Sequence, residues 1–100
     1  MKFDFVIGNP PYQENDGSGA STDAAMPLYN SFVTESKKIT QDCMSMIIPS
    51  KWMVGGRGLN KFREETINDL HFKTINDYID ASFCFPGLHI DGGVCYFIWD

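Results

Sequence analysis

The chain has 100 residues, 43% of them hydrophobic and 14% aromatic, which is the composition of one small globular domain and excludes a disordered or low-complexity polymer. Its formal net charge of -5 excludes a domain that grips nucleic acid by bulk electrostatics, because affinity for phosphates comes from clustered Lys and Arg. Three cysteines without CxxC spacing and two isolated histidines exclude a disulfide framework and supply no zinc-ligand pair, so free thiols, a reducing cytoplasm and no metal site are expected.

Met1-Lys2 leads into a strand-like segment rather than a signal peptide, and no apolar run approaches the roughly 18 residues that cross a bilayer. Phe3-Asp4-Phe5-Val6-Ile7 is a β-favouring apolar run stopped by Gly8 and two prolines, which reads as a buried strand feeding a functional loop. Asn9-Pro10-Pro11-Tyr12 follows at once. Residues 13–23 form a polar, glycine-bearing connection, and Ser21, Thr22 or Asp23 is placed to cap the next helix. From Ala24 to Lys38, Ala25, Leu28, Tyr29, Phe32 and Val33 recur at helical spacing. Pro27 is tolerated only in a first turn, which sets the helix start near Met26.

Cys43 to Ile48 reads as a second buried strand, closed by Pro49. After the glycine-rich connection from Ser50 to Gly58, the residues Leu59, Phe62, Ile67 and Leu70 mark a second helix of about 12 residues. Thr74 to Ile79 reads as a third strand, a loop from Asp80 to Gly92 holds Phe85-Pro86-Gly87, and Val94 to Trp99 is the clearest strand in the chain. The order strand, helix, strand, helix, strand, strand predicts a single α/β domain over residues 1–100. Its early part is expected to be parallel with right-handed crossovers. Its last strands include an antiparallel pair, giving a mixed four-stranded sheet with packed helices.

Asn9-Pro10-Pro11-Tyr12 carries the chemistry, because open α/β sheets bind ligands beyond the carboxyl ends of their strands. Two prolines stiffen the loop and remove two N–H donors, leaving the Asn9 and Pro10 carbonyls free to accept. Such acceptors suit an amino group conjugated to a ring. Holding its N–H bonds localises the lone pair on nitrogen and favours attacking geometry, while Tyr12 offers a ring for stacking on a flipped base. The same four residues also suit a plain tight turn after a strand. Lys51, Arg57, Lys61 and Arg63 cluster around Gly55-Gly56, either as a phosphate-contacting loop or as a solvated helix face.

At these residues the sequence resembles the amino-methyltransferases that use S-adenosylmethionine on a Rossmann-like sheet. Phe3 to Tyr12 looks like their catalytic motif with its strand, and Leu28-Tyr29-Asn30-Ser31-Phe32-Val33 resembles the helix that follows. Ile47-Ile48-Pro49-Ser50-Lys51-Trp52 resembles the next strand and its proline-bearing end. Leu59 to Leu70, with Phe62-Arg63, matches the next helix, and Phe85-Pro86-Gly87 ahead of Val94 to Trp99 matches the approach to a late hairpin strand. The combination is similar to the adenine-specific (N6) DNA methyltransferases of type II restriction-modification systems, especially those with methylation and cleavage in one polypeptide. The resemblance implies that Asn9 and Pro10, in the motif with Pro11, hold the adenine N6 and that Tyr12 stacks on the base. It implies that Phe85 lines the same pocket, although a core role beside Phe83 is equally open. Lys51 and Arg57 become candidate contacts to DNA, the partner of the complete enzyme.

The family's methyl donor binds on an earlier strand and glycine-rich turn, whereas here no GxG element precedes Asn9 and Gly55-Gly56-Arg57-Gly58 comes too late. The chain is therefore expected to be the carboxyl-terminal, target-base half of a catalytic domain, a partial Rossmann-like methyltransferase fold. Alone it should be inactive and unable to hold S-adenosylmethionine. Its strand at residues 3–7 would have an unpaired edge and invite self-association. Two other readings stay open: a methyltransferase acting on a glutamine side chain of a release factor, which carries the same motif, and a non-catalytic remnant or interaction module. Asp77, Asp80 and Asp91 are isolated acids and form no nuclease triad.

Overall fold

A computed structural model describes residues 1–14, 26–56 and 58–100. Strand β1 (Phe3–Gly8) is followed by helix α1 (Tyr29–Ile39), strand β2 (Thr40–Pro49), helix α2 (Asn60–Ile67), strand β3 (Phe72–Tyr78) and strand β4 (Val94–Trp99), with short 3-10 turns at Lys51–Met53 and Ala81–Phe83. The strands lie in the order β1-β2-β4-β3. β1 runs parallel to β2, with Val6 opposite Met44, whereas β4 is antiparallel to both of its neighbours, with Phe97 opposite Met46 and Ile75. The expected mixed four-stranded sheet is present, with the last strand inserted between the second and third.

Alternation along β2 and β4 builds the core. Met44, Met46, Ile48, Cys95 and Phe97 turn to one face, where Tyr29 and Val33 of α1 meet them together with Trp52, Leu59 and Phe62. Burying a side chain of this size stabilises the fold by about 1.5–3 kcal/mol. Cys95 is buried, Cys43 and Cys84 are half-buried, and all three are free.

β1 departs from the expectation of a buried strand. It is an outer strand, and only Val6 packs against the core, while Phe3, Phe5 and Ile7 are 50%, 71% and 82% exposed. Period-two alternation sends these three residues to the face opposite α1, so the strand's apolar run is not a sign of two-sided burial.

α1 begins at Tyr29 rather than near Met26. Pro27 forms a β-bridge with Gln13, and the Leu28 amide donates to the Tyr12 carbonyl at 3.1 Å, so this stretch is extended and tied to the loop after β1. No side-chain cap precedes α1 at Leu28. The expected capping residues Ser21, Thr22 and Asp23, with Ala24 and Ala25, lie outside the described residues. α2 stops at Ile67, short of Leu70. The next turn is closed by the Asp69 carboxylate, which accepts the His71 amide at 3.0 Å and leaves Leu70 86% exposed.

Asp69 also joins separate elements. It accepts from Lys37 Nζ of α1 at 2.9 Å and from Trp99 Nε1 of β4 at 3.0 Å. Burial pushes its carboxyl up, but the Lys37, Trp99 and His71 hydrogen bonds outweigh that and hold it down at about 2. Among the described residues no helix is long and apolar enough to cross a membrane, and no group of three or more metal-ligating side chains is assembled.

Candidate active site

β1 and β2 are parallel neighbours with Gly8 opposite Met46, so the loop after Gly8 and the end of β2 at Pro49 lie at the same end of the sheet. β4 is antiparallel and begins there, with Val94 opposite Pro49, which brings the loop preceding it to the same end of the sheet. These segments enclose a cleft of about 850 Å³. Asn9, Pro10, Pro11 and Tyr12 line it from the loop after β1, Pro49 and Lys51 from the end of β2 and the turn after it, and His89, Ile90 and Asp91 from the last loop. Buried Tyr29 and Leu59 complete its wall from the helical layer.

The Asn9-Pro10-Pro11-Tyr12 loop is held from both ends. Gly8 pairs with Met46 in the sheet, and the Tyr12 carbonyl takes the Leu28 amide while the Glu14 amide donates to the Met26 carbonyl at 3.0 Å. Pro10 is buried, Asn9 and Pro11 are exposed, and Tyr12 is half-buried. The Tyr12 ring meets Tyr29 edge-on at 6.5 Å and 83°. Behind it the contacts continue through Tyr29 to Phe62 at 6.2 Å and Phe62 to Trp52 at 5.7 Å, again edge-on. Burial pushes the Tyr12 and Tyr29 phenols above their ordinary values, so both rings are neutral near pH 7. A neutral, edge-braced ring at the cleft wall can stack on a flat group.

The structure brings Asn9, Pro10, Pro11, Tyr12 and Lys51 together in one cleft. Phe85 stands outside that lining. Its amide donates to the Ala81 carbonyl at 2.8 Å and its carbonyl accepts from Leu88 at 3.0 Å, so it sits in successive turns rather than in an extended segment shared with Phe83. Arg57 lies outside the described residues. The rest of the basic cluster divides: Lys51 Nζ pairs with Asp91 at 3.1 Å, Lys61 reaches Glu65 on the α2 surface at 3.8 Å, and Arg63 donates to the Met53 carbonyl at 2.8 Å.

Tyr29, Leu59, His89 and Ile90 line the cleft without having been marked as site residues by the sequence. Helical spacing assigns Tyr29 and Leu59 only to a core stripe. The last loop reaches the cleft because β4 lies next to β2, a long-range pairing that no local pattern encodes.

Residues 1–85 match the family described as Eco57I restriction-modification methylase. A Mycoplasma pneumoniae protein described as an uncharacterized adenine-specific methylase is 40% identical over 100 residues, covering 99% of this chain. The chain spans 24% of the length of that relative.

Proposed function

The chain belongs to the Eco57I restriction-modification methylase family, and on that premise we propose that it is the target-base half of a DNA methyltransferase domain acting on the N6 amino group of a flipped adenine. The observation that carries the reading is the position of Asn9-Pro10-Pro11-Tyr12 in a cleft at the carboxyl end of the parallel β1–β2 pair. We read the order β1-β2-β4-β3 as the later half of a Rossmann-like sheet.

In this reading the base leaves the duplex stack at a cost of a few kcal/mol, and stacking on Tyr12 offsets about 1–3 kcal/mol of it. The Asn9 side-chain oxygen and the Pro10 carbonyl each accept one N6–H. As the nitrogen becomes tetrahedral its N–H bonds grow more acidic, so these acceptors bind the transition state more tightly than the ground state. Lys51 contacts the DNA backbone, and Arg57 is proposed for the same role. S-adenosylmethionine is the methyl source of the proposed reaction. The described residues do not fit it: the loop at the end of β1 is the proline-bearing Asn9-Pro10-Pro11-Tyr12, with no glycine-rich turn there to cradle it. Its binding is therefore assigned to parts of the protein outside this chain, and DNA methylation to the cytoplasm.

A carboxamide substrate poses the same chemical problem as adenine. Adenine is favoured because the 40% identical relative is described as adenine-specific. The test is a DNA duplex with 2-aminopurine at the target position, titrated with the complete protein. Fluorescence should rise on binding as the base unstacks, and Tyr12→Ala should weaken that capture. A duplex that binds with its 2-aminopurine still stacked contradicts the proposal.

A further inference from the structure

We infer that Tyr29 is a positioning residue that fixes the plane of Tyr12 for a flat ring bound in the cleft, an inference that rests on the base-pocket reading above. Tyr29 is 2% exposed, yet it lines the cleft together with Tyr12. It grips Tyr12 through its ring, edge-on at 83°, while the residue before it, Leu28, grips the Tyr12 carbonyl through its amide. Main chain and ring of Tyr12 are thus both held by the start of α1.

A ring that serves as a stacking surface must keep its plane, and a half-buried tyrosine has two side-chain torsions through which to lose it. An edge-to-face neighbour removes that freedom, because the positive ring edge prefers the negative face at a right angle. Tyr29 can act as the neighbour because it is itself braced edge-on by Phe62 at 89°, and Phe62 by Trp52 at 83°. The brace runs from the cleft through α1 and α2 to the turn after β2.

The Tyr29 hydroxyl is buried beside the Trp52 backbone and makes no hydrogen bond of normal geometry among the described residues. The ring, set at a right angle to that of Tyr12, is therefore what the position supplies. This separates the inference from a general packing role, since Tyr29→Phe keeps the ring and gives up at most a weak contact to the Trp52 backbone, whereas an aliphatic side chain keeps an apolar group at the position and loses the ring.

The test compares variants of the complete protein in binding of the 2-aminopurine duplex and in single-turnover methylation at saturating DNA. Tyr29→Leu should weaken base capture roughly 2- to 10-fold, the worth of one aromatic pair, with the saturated rate changed less than about twofold. Tyr29→Phe should bind as wild type. In the Tyr12→Ala background Tyr29→Leu should have no further effect, because Tyr29 acts through Tyr12. If Tyr29→Leu does not fold, Tyr29→Met fills the space without a ring and takes its place. Independently of any variant, Tyr12–Tyr29 ring-to-ring NOEs in the wild type must persist when the base is bound, and their loss overturns the inference. Wild-type capture by folded Tyr29→Leu or Tyr29→Met, with Tyr12→Ala impaired, also overturns it and leaves the base pocket standing. Wild-type capture by Tyr12→Ala removes the base-pocket reading itself.

Discussion

Lys51 Nζ lies 3.1 Å from Asp91 Oδ2, and both residues line the cleft that holds Asn9 and Tyr12. Their side chains are 61% and 83% exposed, so the pair is a weak, screened one of about 0–1 kcal/mol that a phosphate can displace. Asp91→Asn should therefore leave Lys51 free and tighten DNA binding at low salt. Lys51→Ala should weaken binding of all sequences alike and lower the slope of log affinity against log salt by about 1. Fluorescence anisotropy across a salt series checks both, and an unchanged slope for Lys51→Ala would remove it from the DNA interface.

Gly87 and Gly93 share nearly the same left-handed backbone, at φ of 84° and 80°, but not the same surroundings. A Cβ at Gly87 meets nothing within 4 Å, whereas one at Gly93 would stand 2.1 Å from the Tyr78 carbonyl oxygen. Gly87→Ala should cost only the conformational strain of about 1–2 kcal/mol. Gly93→Ala adds a backbone collision where the Gly93 carbonyl also accepts the Ser50 amide at 3.0 Å, and should cost clearly more. Urea unfolding of the two variants gives the comparison, and equal midpoints would refute it.

Asp69 makes stability depend on acid. Its folded-state value near 2 lies below the ordinary 3.8, so its contribution is complete above about pH 4 and is lost as pH falls toward 2. The wild type should lose stability over that window more steeply than Asp69→Asn, with Trp99 fluorescence reporting the change because its indole N–H donates to this carboxylate. Parallel pH profiles for the two proteins would contradict the assignment.

Phe5 and Ile7 remain 71% and 82% exposed on an outer strand, so we propose that β1 associates with a second copy. Ile7→Lys places a charge on that strand and should shift light scattering at high concentration toward monomer. A wild type that is monomeric at every concentration opposes the proposal.

The parts legible in the sequence were local. Val94–Trp99 is an unbroken apolar, β-favouring run and has the bounds it was expected to have, and the proline-bearing loop after β1 falls at the sheet end where the motif places it. Pro27 misled because its bridge to Gln13 overrides its fitness for a first helical turn. The exposure of Phe5 and Ile7 depends on which sheet face α1 covers, and the placement of His89 and Asp91 depends on β4 lying next to β2. Both are long-range relationships, and neither leaves a periodic trace.

The most direct test of the central claim is single-turnover methylation of a duplex bearing its target adenine by the complete protein, comparing Asn9→Ala with Tyr12→Trp. Asn9→Ala removes an acceptor whose bond strengthens as N6 becomes nucleophilic, so its rate should fall about 100-fold or more. Tyr12→Trp keeps a stacking face and should retain much of the wild-type rate. A near-normal rate for Asn9→Ala together with an inactive Tyr12→Trp would contradict the account and leave Asn9-Pro10-Pro11-Tyr12 as a structural turn.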